Sequence, residues 1–273
     1  MNSLFYSLWY IQIIFESLPI SSSGHLELIQ RWLVWYKKIQ NKLILTEQVE
    51  HIMHIPTLFV VGAYMLEKWG YLLLDISKYA HTIIYISILV FTANACTGLM
   101  YYFFKILKAR GKLFMPLWLG FLVTALLLLS LYSAPLGVTS MPSLLQAALI
   151  GTIQGLALLP GISRLASTCV AGIWLGLTPL AAFVFSCTIQ FPLLLVAVVR
   201  GLWSARKSKD ISLFYPVTYS RTLLLILSTF LAYLLLQLMA YSMEYGLFAQ
   251  WGWYMLSITI LAFANRKYLK SIL

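Results

Sequence analysis

Residues 149–172 read LIGTIQGLALLPGISRLASTCVAG, an apolar run with Pro160, Gly161, Ser163, Arg164, Ser167 and Thr168 at its centre. An arginine among apolar helix formers is costly at membrane depth and marks a functional position. Pro160 and Gly161 predict that the helix breaks just before it. The expectation is two half-helices meeting at a polar turn, the second starting near Ser163 with unpaired backbone N–H groups at its N-terminus. Such N–H groups beside a guanidinium suit an anion. A related pattern, QIIFESLPISSSGH, occupies residues 12–25. Both stretches are expected to build one anion-handling site.

The surroundings of these stretches are those of a membrane protein. Of 273 residues 61% are apolar and only 10% charged, against about 25% charged in soluble domains. A net charge of +11 does not indicate nucleic acid here, because the basic residues fall in short loops between apolar runs, the distribution of topology signals. The N-terminus lacks a basic segment ahead of its apolar run and reads as retained structure, not as a signal peptide. Cys96, Cys169 and Cys187 show no pairing or metal spacing and read as small buried hydrophobes.

Apolar run lengths give the architecture: an all-α polytopic membrane protein with six transmembrane helices and two re-entrant helix–loop–helix pairs. The six full spans are expected near 53–72, 82–104, 114–133, 179–199, 219–240 and 249–265. Residues 4–18 and 25–34 form the first broken pair, interrupted by PISSSG, and 141–175 the second. Interruptions of this kind at membrane depth must be covered by protein or by a wet cavity. If 141–178 enters and leaves by one side, all four basic segments share a side. These carry Lys37, Lys38 and Lys42; Lys105, Lys108, Arg110 and Lys112; Arg200, Arg206, Lys207 and Lys209; and Arg266, Lys267 and Lys270. The positive-inside rule makes that side cytoplasmic, with both termini. The chain then reads as a single membrane domain, an inverted-topology repeat of about 1–133 and about 141–273, each a re-entrant pair plus three spans.

Chemistry concentrates at the two breaks. Glu16 follows Gln12 by one turn, so both share a helix face. A carboxylate there is expected to bind a metal or handle a proton, with a structural ion pair to Arg164 as the alternative. The Gln12 amide can orient a water, a metal or a substrate oxygen. Ser22 and His25 lie three residues apart, a spacing that lets an imidazole activate a hydroxyl. Ser22 as nucleophile and an activated water remain alternatives. Arg164 presents a planar fork to phosphate oxygens, Ser163 and Thr168 offer hydroxyls, and Gly161 lets backbone approach. His54, beside Pro56 and Thr57, reads as a structural histidine or a neighbour of the site.

These motifs resemble those of the bacterial undecaprenyl-diphosphate phosphatases, also called bacitracin-resistance proteins. The first family motif appears as Gln12, Glu16, Leu18, Pro19, Ile20, Ser21, Ser22, Ser23, Gly24 and His25. The second appears as Pro160, Gly161, Ile162, Ser163, Arg164 and Thr168, with Gln154 upstream. Weaker matches are His54, Thr57 and Leu58, then Phe185, Ser186 and Pro192, and Phe248. The resemblance implies removal of the terminal phosphate of undecaprenyl diphosphate at the outer face of the bacterial plasma membrane, which recycles the lipid carrier for cell-wall synthesis and confers resistance to bacitracin. It implies Glu16, Ser22, His25 and Arg164 as catalytic residues, and Gln12, Ser21, Gly161, Ser163, Arg164 and Thr168 as substrate contacts. It also implies a divalent cation, Mg or Ca, at Glu16 with Gln12; a homodimer is left open. The sequence departs from the family pattern at Ile13, Asn94, Leu165, Ala166, Pro179 and Leu180, and Gln12 leaves Glu16 as the sole carboxylate of the motif. The competing class is a transporter of an anionic or lipid-phosphate substrate, since inverted repeats with broken helices also suit transport.

Overall fold

A computed structural model describes residues 2–37, 51–111, 115–208 and 219–266. The basic positions Lys38, Lys42, Lys112, Lys209, Lys267 and Lys270 lie outside the described residues. The helices described are, in order, α1 Asn2–Glu16, α2 Ser22–Lys37, α3 Ile55–Trp69, α4 Tyr71–Leu74, α5 Ile76–Ala109, α6 Leu117–Ser130, α7 Leu144–Leu156, α8 Arg164–Trp174, α9 Pro179–Ser208, α10 Tyr219–Glu244 and α11 Trp251–Ala264.

Among the described residues four helical segments are long and apolar enough to cross a bilayer: Ile76–Ala109, Pro179–Lys207, Leu225–Glu244 and Leu247–Ala264. Together they make the chain an all-α, multi-pass membrane protein. Their outward faces are apolar, as a lipid solvent requires: Phe91 is 75% exposed and Leu99 71%. The other two expected spans are shorter. Helix α3 has 15 residues and α6 has 14, with a 3-10 turn at Leu131–Ser133 beyond it. The run expected at 53–72 is interrupted at Gly70, and α5 is longer than its expected 82–104. Asp75 starts α5, its carboxylate accepting from the Lys78 N–H and the Ser77 hydroxyl. Those two bonds hold its carboxyl below the usual carboxylate range.

The second break is bounded as the sequence predicts. Ser143 and Gln146 form a reciprocal capping box at the start of α7. Helix α7 ends at Leu156, Pro160 and Gly161 make the turn, and Ser163 caps α8, its Oγ accepting from the Ala166 N–H. The two ends of this segment meet. Thr139 pairs with Leu177 in one isolated parallel bridge, and the Gln146 amide donates to the Leu175 carbonyl. The chain between 140 and 176 therefore starts and finishes at one place.

Small residues let the half-helices dock closely. A Cβ on Gly151 would lie 2.1 Å from the Ala93 carbonyl oxygen and one on Gly155 2.3 Å from Met100 Cβ, so α7 rests directly on α5. Gly172 of α8 touches Ala182 of α9 in the same way, at 2.8 Å. Helix α1 packs on α10, α3 on both α9 and α10, and α6 on α11. The core runs through these contacts, with Tyr64, Phe121, Phe183 and Phe248 among its largest fully buried side chains.

Candidate active site

The two breaks converge. Gly24, near the start of α2, would place a Cβ 3.0 Å from Gly161 Cα and 2.7 Å from Phe121 Cε1. Gly161 has φ +83°, and its own Cβ would stand 2.6 Å from the Leu117 carbonyl oxygen. On the facing helix, a Cβ at Gly120 would lie 1.9 Å from the Pro160 carbonyl oxygen. Here glycine is required by contact on both sides, and at Gly161 by backbone conformation as well. What approaches Gly161 in the structure is the backbone of helix α6.

Thr124 of α6 pins that turn. Its hydroxyl accepts from the Ser163 N–H at 3.0 Å and donates to the Gly161 carbonyl at 3.1 Å. One side chain thus pairs a free donor and a free acceptor on opposite sides of the break. Sequence reasoning passed over Thr124, because a threonine inside an apolar span carries no local signal.

A pocket of about 40 Å³ opens between the breaks, lined in part by Glu16, Ser21, Ser22, Ser23, Ser163, Arg164 and Gln190. Five of these are expected site residues: Glu16, Ser21 and Ser22 from the first break, and Ser163 and Arg164 from the second. Glu16 ends α1 and its side chain is 7% exposed. Its Oε2 accepts from Gln12 Nε2 at 2.7 Å and from Ser22 Oγ at 2.9 Å. His54 Nδ1 stands 3.4 Å from the same oxygen. Arg164 interacts electrostatically with this carboxylate. Among the described residues no ion pair or hydrogen bond from the guanidinium joins it, so the salt bridge weighed from sequence is not formed at contact distance.

Other expected residues fall into place differently. Ser22 Oγ donates its hydrogen bond to Glu16 Oε2. The ring nitrogens of His25 face the Ser21 carbonyl, 2.9 Å from Nδ1, and the Tyr254 hydroxyl, 3.1 Å from Nε2. The three-residue spacing puts Ser22 and His25 on one helix, but the imidazole turns into a cage of Phe15, Phe121 and Tyr254. Thr168 donates back to the carbonyls of Arg164 and Leu165, and Ser167 likewise to Arg164, satisfying their own helix. Gln12 is fully buried behind Glu16. Gln154 is buried on the α5 side, where Thr97 Oγ1 donates to it.

Two contributors were missed. Gln190, 5% exposed, comes from the middle of α9, two residues before Pro192. A lone amide in an otherwise apolar span was the signal available. Tyr254, an aromatic within an apolar span, carries no local signal of its contact with His25.

A hard divalent cation takes oxygen ligands, often one or two carboxylates plus substrate phosphates. The donors here fit that demand. Gln12 Oε1 is buried without a partner, and the bonds received by Glu16 all go to Oε2. No group of three His, Cys, Asp or Glu side chains gathers among the described residues. A cation at this place would take further oxygen ligands from substrate or water.

The fold and the pocket define a multi-pass, all-α membrane protein whose polar site is assembled from two interrupted helices. A family model described as Bacitracin resistance protein BacA matches residues 7–261. The chain belongs to this family. Proteins named undecaprenyl-diphosphatase are similar to it. That of Protochlamydia amoebophila is 32% identical over 197 residues, 72% of each chain. That of Thermodesulfovibrio yellowstonii is 28% identical over 277 residues, 98% of this chain and 100% of its own. A 69-residue stretch of the Psychrobacter sp. protein, 25% of this chain and 23% of its own, is 44% identical.

Proposed function

We propose that this protein hydrolyses undecaprenyl diphosphate to undecaprenyl phosphate and inorganic phosphate, recycling the lipid carrier for cell-wall synthesis and conferring bacitracin resistance. Membership of the family carries the activity. The observation that carries the site is the 2.9 Å bond from Ser22 to Glu16 at the rim of a pocket that also holds Arg164.

In this reading the prenyl tail stays in lipid and the diphosphate occupies the pocket. Arg164 and the N-terminus of α8 bind the phosphate oxygens and the charge that develops on transfer. Ser163 shapes that N-terminus as its cap, and Ser21 and Gly161 form the two turns against which the phosphates lie. Thr168 supports the first turn of α8. Ser22 attacks the terminal phosphorus while Glu16 takes its proton. The undecaprenyl phosphate leaves, and water then frees the phosphate from Ser22. His25 holds the serine turn from behind. A divalent cation at Glu16 and Gln12 would neutralise charge on the diphosphate.

The finer architecture belongs to the same proposal: six transmembrane helices and two re-entrant pairs, as an inverted repeat of α1–α6 and α7–α11. Three features support it. Helix α1 packs on α10 as α7 packs on α5, the exchange that a two-fold relation produces. The ends of the second broken segment meet at Thr139 and Leu177. A polar residue stands two positions before a proline both at the start of α3 (His54, its N-cap, with Pro56) and within α9 (Gln190 with Pro192), and both polar residues reach the site. In this reading the ends of α5, α9 and α11 and both termini are cytoplasmic and the pocket opens to the outer side; the basic residues in the sequence at those ends support it through the positive-inside rule. Pairing of two copies as a homodimer is part of this proposal and rests on no contact described above.

The test is phosphate release from undecaprenyl diphosphate by purified protein in detergent, with and without chelator, beside Ser22→Ala. Release abolished by both is expected. Release that persists in Ser22→Ala would move the attack to water. No release with any divalent cation from folded protein would overturn the phosphatase reading and favour transport.

A further inference from the structure

We propose that Tyr254 is a positioning residue: through His25 it holds the Ser21 carbonyl, and so the turn that presents Ser22. The inference rests on the phosphatase reading for its kinetic consequence, though not for its geometry.

The argument starts at Ser21, whose φ of +57° makes it the non-glycine residue with left-handed backbone among those described. Such a conformation persists only where the surroundings over-determine it. The Ser21 carbonyl receives two bonds from one residue: the His25 backbone N–H at 3.1 Å and His25 Nδ1 at 2.9 Å. A carbonyl can only accept, so Nδ1 carries a proton. In the neutral ring Nε2 then holds the lone pair, and the Tyr254 hydroxyl, 3.1 Å away, donates to it. The phenol ring lies nearly parallel to the imidazole, 9° apart, and Phe15 and Phe121 face it from α1 and α6. The histidine is therefore fixed in tautomer and orientation by one hydroxyl and one carbonyl.

Tyr254 is itself anchored. Two residues earlier in α11, a Cβ on Gly252 would stand 2.6 Å from Leu129 Cγ and 3.0 Å from the Ala125 carbonyl oxygen, so α11 lies directly on α6. That same helix carries Phe121 and the Thr124 that pins the second break. A rigid path thus runs from α6 through α11, Tyr254 and His25 to the serine turn. With both ring nitrogens engaged, His25 orients Ser22, while Glu16 is the group within reach of its proton.

The test uses full-length protein in detergent with ¹⁵N-labelled histidine. Tyr254→Phe keeps the ring and removes the hydroxyl. We expect the wild-type His25 spectrum to show the neutral Nδ1–H tautomer, and Tyr254→Phe to move its Nε2 resonance. Loss of one bond in the path should lower kcat about 3- to 10-fold at unchanged KM. His25→Asn, whose amide N–H can replace Nδ1–H toward Ser21, should retain at least about tenfold more activity than His25→Ala. An unchanged His25 spectrum and kcat in Tyr254→Phe would overturn the proposal, as would His25→Asn being as inactive as His25→Ala. If wild type released no phosphate, the reaction assignment would fail, and the nitrogen spectrum would still decide whether Tyr254 holds His25.

Discussion

Gly24 and Gly161 lie back to back: a Cβ on the first would stand 3.0 Å from the Cα of the second. The two interrupted helices, 137 residues apart by that count of 161 less 24, thus touch through backbone. The contact explains why a serine from one break and an arginine from the other share a small pocket.

Gly161→Ala should damage both the fold and the site. Its φ of +83° is left-handed, and the new methyl would meet the Leu117 carbonyl at 2.6 Å. Left-handed backbone alone costs roughly 1–2 kcal/mol for a residue with a Cβ. A lower Tm in detergent together with lost phosphate release is expected. Wild-type values for both would show that the turn relaxes freely.

Thr124→Val removes the hydroxyl that pairs the Ser163 N–H with the Gly161 carbonyl. Two buried groups lose their partner, at about 1–3 kcal/mol for each left unsatisfied. Thermal unfolding should register this loss, and Thr124→Ser should restore most of it. If the valine variant were as stable as wild type, the pinning role would be wrong.

Arg164→Lys keeps the charge and loses the fork. Removing one preorganised donor from a developing oxyanion costs about 100- to 1,000-fold in rate, and a loss of that order is expected with folding retained. Activity near wild type would remove Arg164 from the phosphate site.

At the carboxylate, Glu16→Gln should abolish release, since Gln12 offers no second acid. The reverse change at the neighbour, Gln12→Glu, adds a charged oxygen ligand. Cation affinity rises with the number of charged ligands, so the half-maximal cation concentration should fall, by about tenfold. A cation dependence unaltered in Gln12→Glu would place the cation elsewhere.

Much of this was legible in the sequence, for definite physical reasons. Pro19 and Pro160–Gly161 each stand beside clustered polar residues within an apolar run, so the breaks there could be placed, as could the cap at Ser163. Apolar run length revealed the membrane class. The partners of the polar atoms were not legible. Ser22 and His25 share a helix by spacing, yet a rotamer turns the imidazole toward Tyr254, 229 positions on. Glu16 was found because a lone acid in an apolar run is conspicuous. Gln190 and Thr124 are milder residues, and only packing shows that one lines the pocket and the other bolts its floor. The span expected at 53–72 is interrupted at Gly70, between α3 and α4, a local break that hydropathy does not register.

The docking of α7 and α8 has a last consequence. Gly151 and Gly155 fasten α7 to α5, while Gly172 fastens α8 to α9, so the two arms of one break belong to different columns of the bundle. A change in the spacing or tilt of those columns must be absorbed at Pro160–Gly161, next to Arg164.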